Sequence, residues 1–342
     1  MTGAPAASFG APLSAAERAQ TAATILAAQT ASGLIPHADG QHADPWNHLE
    51  AAMALAVSGA PDAAERAVAA LVAHQEPGGA FAAGYGPDGS VVDRRRDTNG
   101  SAYLSFALAQ LWHVSGDAAL VRRYWPAAVR ALGFVCAQQR PSGAICWSDA
   151  PSGSRGDLAL IAACSSIHAS LRAAEDLAMA LDLWLPAFVT DAASRLALAL
   201  TWRRAAFSAK DHYAMDWYYP VLAGVLGGAA ARHRLAAGWE RFVRPGQGVL
   251  CRDDRRWVTA AETAECALAC LRAGLRRKAD ALLVATRAAR QDDGSYLTGL
   301  VYPELSSFPT GERTTYTAAA VLLAADALAG GPAAAVFAPG RR

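Results

Sequence analysis

The alternation of short and long links between apolar helical segments is the feature that most constrains the fold. Twelve stretches carry apolar residues at helical spacing, and we find no convincing alternating strand pattern. Tight turns such as Gly59-Ala60-Pro61 alternate with long polar loops such as 76–96. Helices linked in this way form hairpins whose long loops all lie at one end. The sequence therefore predicts an all-α fold, an (α/α)6 barrel of six helical hairpins. The predicted helices cover residues 13–31, 45–58, 62–75, 97–114, 117–139, 159–181, 184–206, 215–226, a ninth ending near 243, 259–272, 275–290 and about 314–328.

The composition favours one large domain. Of the 342 residues, 53% are hydrophobic and 18% are charged, which is enough to bury a sizeable core, and no linker divides the chain. We assign one domain to 1–342, with its core at about 13–329. The Ala/Pro/Gly-rich ends, roughly 1–12 and 331–342, have little to bury and are expected to be mobile.

Charge and hydropathy exclude several partners. The net charge of +1 comes from interspersed acids and bases, so neither a nucleic-acid footprint nor a polybasic membrane patch is expected. No apolar stretch approaches the ~18 residues that a membrane span needs. The start of the chain shows no signal peptide, and the six scattered cysteines are expected to be reduced, so we predict a cytoplasmic protein.

The starts of the even-numbered helices carry most of the candidate chemistry. Each stands where a long loop becomes an apolar helix, and a rigid scaffold would bring the loops to one face. Carboxylates recur at these starts, and glycoside hydrolysis requires two. They are Asp44, Asp97, Asp216, Glu262, Glu265 and Glu312.

Aromatic residues accompany these acids. Flat aromatic faces beside carboxylates suit sugar rings, whose C–H faces stack while their hydroxyls take hydrogen bonds, although core packing accounts equally well for some of them. They are Trp46, Tyr103, Trp147, Trp217, Tyr218, Tyr219, Trp257, Tyr302, Phe308 and Tyr316.

Structural explanations compete with the catalytic one. Asp44 and Asp97 are good helix N-caps, and Thr259-Ala-Ala-Glu262 reads as a capping box. His37, His42 and His48 match no strong metal motif, so substrate hydrogen bonding or a structural role is favoured over a metal site. Ser165, Ser166 and His168 lack the nucleophile elbow that a serine hydrolase needs.

A repeated Q-x-x-x-G ending follows four of the odd-numbered helices: it begins at Gln29, Gln75, Gln139 and, degenerately, Gln291. These endings resemble the repeats of terpene cyclases and protein prenyltransferases, which share the six-hairpin architecture. The chain has neither the DxDD acid motif of class II terpene cyclases nor a credible Asp/Cys/His zinc set of prenyltransferases. The resemblance therefore implies the fold and leaves the function open.

Longer motifs carry a second resemblance. They are Asp44-Pro-Trp-Asn-His-Leu-Glu-Ala-Ala-Met-Ala-Leu55, Met215-Asp-Trp-Tyr-Tyr-Pro220, Trp257-Val-Thr-Ala-Ala-Glu-Thr-Ala-Glu265, Gly294-Ser-Tyr-Leu-Thr-Gly299 and Glu312-Arg-Thr-Thr-Tyr-Thr317. Across nearly the whole chain they resemble bacterial proteins labelled prenyltransferase-like, among them the methylmannose polysaccharide hydrolases, which are endo-acting α-mannanases.

This resemblance implies hydrolysis of internal α-mannosidic bonds in a methylated mannose polysaccharide. From position and chemistry we assign Glu262 as general acid and Asp44 as base of an inverting mechanism, with Asp97 and Asp216 as substitutes. No metal or other cofactor is expected, and the partner is an oligo- or polysaccharide. The alternatives are a prenyl or terpenoid enzyme and a non-catalytic glycan-binding barrel. The predicted substrate-binding residues are Trp46, His48, Asp97, Asn99, Tyr103, Trp147, His168, Asp216, Trp217, Tyr218, Trp257, Tyr296, Glu312 and Tyr316.

Overall fold

The computed structural model describes residues 13–149, 156 and 158–339. Over these residues the chain forms thirteen α-helices, and the predicted barrel is confirmed. The helices are α1 Ala15–Ala28, α2 Pro45–Val57, α3 Pro61–Ala73, α4 Thr98–Ser115, α5 Ala118–Ala137, α6 Ile161–Leu181, α7 Ala187–Trp202, α8 Ala214–Leu222, α9 Gly228–Phe242, α10 Ala260–Arg272, α11 Arg276–Ala285, α12 Thr315–Leu328 and α13 Ala333–Phe337. Two of the predicted outer helices end in separate 3₁₀ turns, Arg204–Ala206 and Thr286–Ala289.

The even-numbered helices form a closed inner ring. Each packs on the next, from α2 through α4, α6, α8 and α10 to α12, and α12 packs back on α2. The odd-numbered helices α1 to α11 surround this ring, and each short turn joins an inner helix to the outer helix that follows it. The sixth hairpin pairs α12 with α1 and so unites the two ends of the chain. The inner helices are rich in alanine, which lets them approach one another closely and bury most of their surface.

Short strands in the long loops were not predicted. One antiparallel sheet contains β1 Ala82–Tyr85, β2 Val91–Asp97 and β3 Ser148–Asp149. The other contains β4 Val243–Arg244, β5 Gly248–Leu250, β6 Trp257–Thr259, β7 Gly299–Val301 and β8 Ser306–Ser307. Strands of two to four residues, as most of these are, are too short to show an alternating pattern, which explains why sequence patterns did not reveal them.

The Q-x-x-x-G repeats hold successive hairpins together. The Gln29 side-chain amide donates to the Gly33 carbonyl (3.0 Å) and to the Ala63 carbonyl of α3 (2.9 Å). Gln75 makes the same two contacts with Gly79 (3.0 Å) and Ala127 of α5 (2.8 Å).

The same contact recurs at the next hairpin and changes at the last. Gln139 bonds Gly143 (2.9 Å) and Ala192 of α7 (3.0 Å). At the degenerate repeat the donor comes from the neighbouring helix instead of from the glutamine. The Thr21 hydroxyl of α1 donates to the Gly294 carbonyl (2.8 Å). This last contact closes the ring between the two ends of the chain.

The C-terminal segment departs from the expected mobile end. Residues 333–337 form α13, which lies across the end of the barrel opposite the long loops and contacts α4, α10 and α12. Phe337 is buried and packs edge-to-face on Phe106 (5.3 Å between centroids). Arg272 donates to the carbonyls of Val336 (3.3 Å) and Phe337 (3.1 Å). An aromatic anchor and an arginine therefore fix a segment whose composition predicts mobility.

Candidate active site

The helix starts converge as the hairpin pattern predicts. Asp44 precedes α2 and Asp97 precedes α4, and both carboxylates line a cavity of about 230 Å³ at the long-loop end of the barrel. The indole rings of Trp46 and Trp147 line the same cavity, and the Arg95 guanidinium lies 5.9 Å from the centroid of Trp147. An open space thus adjoins two carboxylates and two aromatic rings.

Asp44 and Asp97 act as helix caps, as one interpretation of the sequence predicted. The Asp44 carboxylate accepts from the Asn47 N–H (3.0 Å), and that of Asp97 accepts from the Gly100 N–H (2.6 Å). Burial raises the pKa of Asp44, although His37 and His42 partly oppose this. Burial raises the pKa of Asp97 to about 6, with a further contribution from the negative charge of Asp44. Both side chains are only half-buried by accessible area, so capping leaves them in reach of a ligand.

Glu262 lies in the first turn of α10 with only 7% of its surface exposed. The Thr259 hydroxyl donates to its carboxylate, and Thr259 makes no side-chain cap hydrogen bond, so the predicted capping box does not form. Burial raises the pKa of Glu262 to about 7, and the charge of Glu265 adds to this effect. Glu262 can therefore hold a proton near neutral pH, as a general acid must.

A second pair of carboxylates, those of Glu265 and Glu50, lies on the barrel axis below Glu262. Glu265 accepts hydrogen bonds from the hydroxyls of Tyr218, Tyr219 (2.8 Å) and Tyr316 (2.5 Å). Burial, together with the charges of Glu265 and Asp44, raises the pKa of Glu50 well above its ordinary value. One carboxylate oxygen of Glu50 has no partner among the described residues.

Aromatic rings surround this axis. Trp46 meets Tyr219 edge-on (5.9 Å between centroids) and lies 6.2 Å from Tyr103. The structure thus brings Tyr103, Tyr218 and Tyr316, three of the predicted substrate-binding residues, together beside these acids. The sequence places Tyr219 among the aromatic residues that accompany the acids, whereas it does not assign Glu50 to the site.

The chain has a curated relative that decides its family. No family model matches the chain. The "MMP endo-(1,4)-3-O-methyl-alpha-D-mannosidase" of Mycolicibacterium hassiacum is 42% identical over 312 residues, covering 90% of this chain and 85% of the relative. The chain belongs to this mannosidase family. It is therefore a glycoside hydrolase, and its substrate is a saccharide.

Solved structures agree with the mannosidase-family assignment at the level of the fold. A structure described as "Glycosidase Wild Type" has a TM-score of 0.73 and 16% identity, and covers 92% of this chain and 98% of its own. The mannosylglycerate hydrolase of Thermus thermophilus in complex with glucose has a TM-score of 0.69 and 12% identity. This match covers 90% of the present chain and 99% of the hydrolase chain. The 42% identity to the mannosidase confirms the predicted glycoside hydrolase over the prenyl or terpenoid alternative and the non-catalytic barrel.

Four residues expected to bind substrate in this mannosidase-family chain face away from the site. His48 is 1% exposed and lies between α2 and α3, where its Nδ1 accepts from the Ile35 N–H (3.0 Å) and its Nε2 pairs with the Ala67 carbonyl (2.9 Å). Burial lowers the pKa of His48 to about 4. Both ring nitrogens are occupied, so His48 is a structural residue.

Trp217 and Tyr296 also face the outer layer. The Trp217 indole donates to the Arg234 carbonyl (2.8 Å) and stacks on Phe242 (5.4 Å), both in α9. Tyr296 is fully buried near the charges of Arg290, Arg287 and Glu17 of α1, and burial raises its pKa to about 12. These two rings belong to hairpin packing.

His168 lies at the other end of the barrel. It lines a cavity of about 900 Å³ together with Phe106 of α4 and Val336 of α13. Burial lowers its pKa to about 4. His168 follows the first residue of α6 by about two turns, which carries it below the long-loop end, so it does not join the acids.

The remaining predicted residues stay at the long-loop end. Asp216 accepts from the Ala162 N–H (3.4 Å) at the start of α6, and burial raises its pKa to about 6. Asn99 is buried in the first turn of α4, and its side-chain amide has no partner in the described parts of the chain. Glu312 accepts from the Thr298 hydroxyl (2.8 Å). Trp257 is the first residue of β6, the strand that leads into α10 and Glu262.

The described residues contain no group of three or more His, Cys, Asp or Glu side chains placed to hold a metal ion. Within the same ranges, no helix combines the length and hydropathy needed to cross a membrane.

Proposed function

We propose that this glycoside hydrolase cleaves internal α-mannosidic bonds of an O-methylated mannose polysaccharide, with Glu262 as general acid and Asp44 as general base. The 42% identity to the curated endo-mannosidase carries the choice of substrate. The choice of residues is supported by their different environments, since the Thr259 hydroxyl holds the buried Glu262 while Asp44 faces the open cavity.

In this proposal Glu262 protonates the oxygen of the leaving sugar, and Asp44 removes a proton from the attacking water. The pKa of about 7 keeps a large share of Glu262 protonated at neutral pH. The Asp44 carboxylate gains a proton as the water attacks, and Glu262 loses one to the leaving group. The two roles are restored when a proton returns from Asp44 to Glu262 through solvent.

Single displacement by water on the face opposite the leaving group inverts the anomeric centre. An α-mannoside should therefore release a product whose new reducing end is first the β anomer. Proton NMR during the first minutes of hydrolysis tests this, because mutarotation is slower than an efficient turnover. Initial formation of the α anomer would contradict this mechanism and would indicate that the carboxylate assigned as base acts as a nucleophile.

The substrate is tested with manno-oligosaccharides that carry O-methyl groups, with products identified by mass spectrometry. Internal cleavage gives fragments of several sugars from the first samples onward, whereas an exo-acting enzyme gives single sugars. Absence of cleavage of any α-linked mannoside would contradict the proposal. Turnover should be unchanged in the presence of a chelator, because two carboxylates suffice for both proton transfers.

A cytoplasmic location stays part of this proposal. It is supported by the thiols of the six cysteines, none of which is paired in the described residues.

A further inference from the structure

The strand β6 leads directly into α10 and fixes two side chains on one face. Side chains two residues apart on a strand point to the same side. The Thr259 hydroxyl contacts the carboxylate of Glu262, so the indole of Trp257, two residues earlier, stands on the same side of the sheet as the proposed acid. At 3.2–3.4 Å per residue, the two β6 positions are about 7 Å apart.

The Trp257 indole is held by backbone contacts. Its Nε1–H donates to the Phe308 carbonyl (2.9 Å), and the Phe308 N–H donates to the Gly299 carbonyl (3.1 Å). A Cβ atom at Gly299 would lie 2.5 Å from Nε1, so only glycine leaves room for the indole at this point of β7. With its one polar atom satisfied by the backbone, the ring presents apolar surface.

Phe308 completes an apolar corner beside the acid. Its ring meets the Trp257 indole at 86°, with centroids 5.1 Å apart, and 53% of Phe308 is exposed. Exposed apolar side chains that converge next to a site for a polar substrate call for a ligand with apolar groups. A right-angled corner suits a small group such as a methyl better than the flat face of a sugar ring.

We propose that Trp257 and Phe308 form a subsite that binds O-methyl groups of the saccharide beside the bond being cleaved. This inference rests on the proposed function and assigns the selectivity for methylated sugars to this corner. The apolar surface transfers a methyl group out of water, which is worth about fourfold in kcat/KM for each methyl group covered.

The test compares a methylated and an unmethylated α-manno-oligosaccharide of equal length. Wild type should prefer the methylated one. Phe308→Ala should lower the ratio of the two kcat/KM values by about fourfold or more, while kcat/KM on the unmethylated substrate stays within about twofold. Phe308→Leu keeps an apolar side chain and should retain most of the preference. This variant also tests the proposal if the alanine variant does not fold.

Phe188→Ala is the matched control. Phe188 is 46% exposed at the start of α7, which follows a short turn and so lies at the opposite end of the barrel. Its substitution should leave the ratio unchanged. Equal loss on both substrates in Phe308→Ala, or an unchanged ratio, would overturn the methyl subsite while the mannosidase proposal stands. Failure of wild type to cleave either substrate would instead overturn the proposed function, and the subsite with it.

Discussion

Glu262 and Glu265 lie three residues apart on α10, so both face the axis of the barrel, one turn above the other. The upper residue meets a threonine hydroxyl, and the lower one meets the hydroxyls of three tyrosines from α8 and α12. The negative charge of Glu265 raises the pKa of Glu262. The lower carboxylate thus helps to keep a proton on the upper one.

Glu265→Gln tests this relationship through the pH dependence of activity. Removal of the charge at position 265 should lower the pKa of Glu262 below about 7. The general acid then loses its proton at a lower pH, so the alkaline limb of the kcat/KM profile should shift toward acid pH. An alkaline limb that stays in place or moves to higher pH would contradict the coupling.

Glu262→Gln should abolish most turnover, because an amide cannot donate the proton. The expected loss in kcat is about 10²–10⁴-fold on a methylated manno-oligosaccharide, with binding of the oligosaccharide retained. Near-wild-type turnover would show that Glu262 is not the acid. In that case Asp97, Asp216, Glu265 and Glu312 are the carboxylates to substitute next.

The same variant makes a prediction about stability. Because the folded-state pKa of Glu262 is raised to about 7 from an ordinary 4.5, the folded protein holds a proton that the unfolded chain has released. The stability of the wild type therefore decreases as the pH rises from about 4.5 to about 7, and the glutamine variant does not show this decrease. The free energy of unfolding of Glu262→Gln relative to wild type should rise by roughly 3 kcal/mol from pH 4 to pH 8, measured by urea titration.

Asp44→Asn separates capping from catalysis. Asparagine caps a helix about as well as aspartate, so the free energy of unfolding should change by less than about 1 kcal/mol. The amide cannot act as a base, and kcat should fall at least about 10²-fold. Asp117→Asn is the control, because Asp117 caps the outer helix α5 through the N–H groups of Ala119 (2.8 Å) and Leu120 (3.1 Å). Equal activity in the two variants would make Asp44 a cap alone.

His48→Ala should act on stability and leave the chemistry intact. It removes a fully buried ring and leaves the Ile35 N–H and the Ala67 carbonyl without these partners. The expected loss is about 3 kcal/mol in the free energy of unfolding. The KM and kcat of the folded variant should match wild type at a temperature well below its melting point. A raised KM without loss of stability would return His48 to the substrate site.

The glutamine repeats can be ranked by their contacts. The Gln75 side chain makes two backbone hydrogen bonds and also accepts from Arg130 (2.5 Å). Gln139 makes the same two backbone bonds, but its carbonyl oxygen has no partner among residues the structure describes. Gln75→Ala should therefore cost more in unfolding free energy than Gln139→Ala, by about 1–3 kcal/mol for the charged hydrogen bond. The reverse order in chemical denaturation would contradict this ranking.

The barrel, and the end of it at which the acids lie, could be predicted from the sequence. Both follow from the lengths of the links and from the position of each acid along its helix. The direction of a side chain around its helix could not. Tyr218 and Trp217 are neighbours, yet an α-helix turns about 100° per residue, so Tyr218 faces the axis while Trp217 faces α9. His48 is displaced in the same way. In a helix that is buried on all sides, apolar residues occur all around the helix, so the sequence does not show which face points to the barrel axis.

Contacts between distant segments account for the other differences. The Thr259–Glu262 spacing fits a capping box, but β6, held between β5 and β7, continues straight into α10 and turns the Thr259 hydroxyl toward the carboxylate instead. Residues 331–339 have the composition of a mobile end, and Arg272, far away in sequence, supplies donors that hold them. These partners are distant along the chain, so no sequence window contains the evidence.

The pairing of α12 with α1 has a consequence for how the molecule can come apart. A row of hairpins with free ends loses its terminal unit first, because that unit has a neighbour on one side only. Here every hairpin has two neighbours, and the hydrogen bond from Thr21 of α1 to Gly294, which follows α11, joins the hairpin formed by α12 and α1 to the one before it. No hairpin can peel away without separating from both sides at once. Fraying from an end, the ordinary route by which repeat arrays are unravelled and digested, has no starting point in this ring.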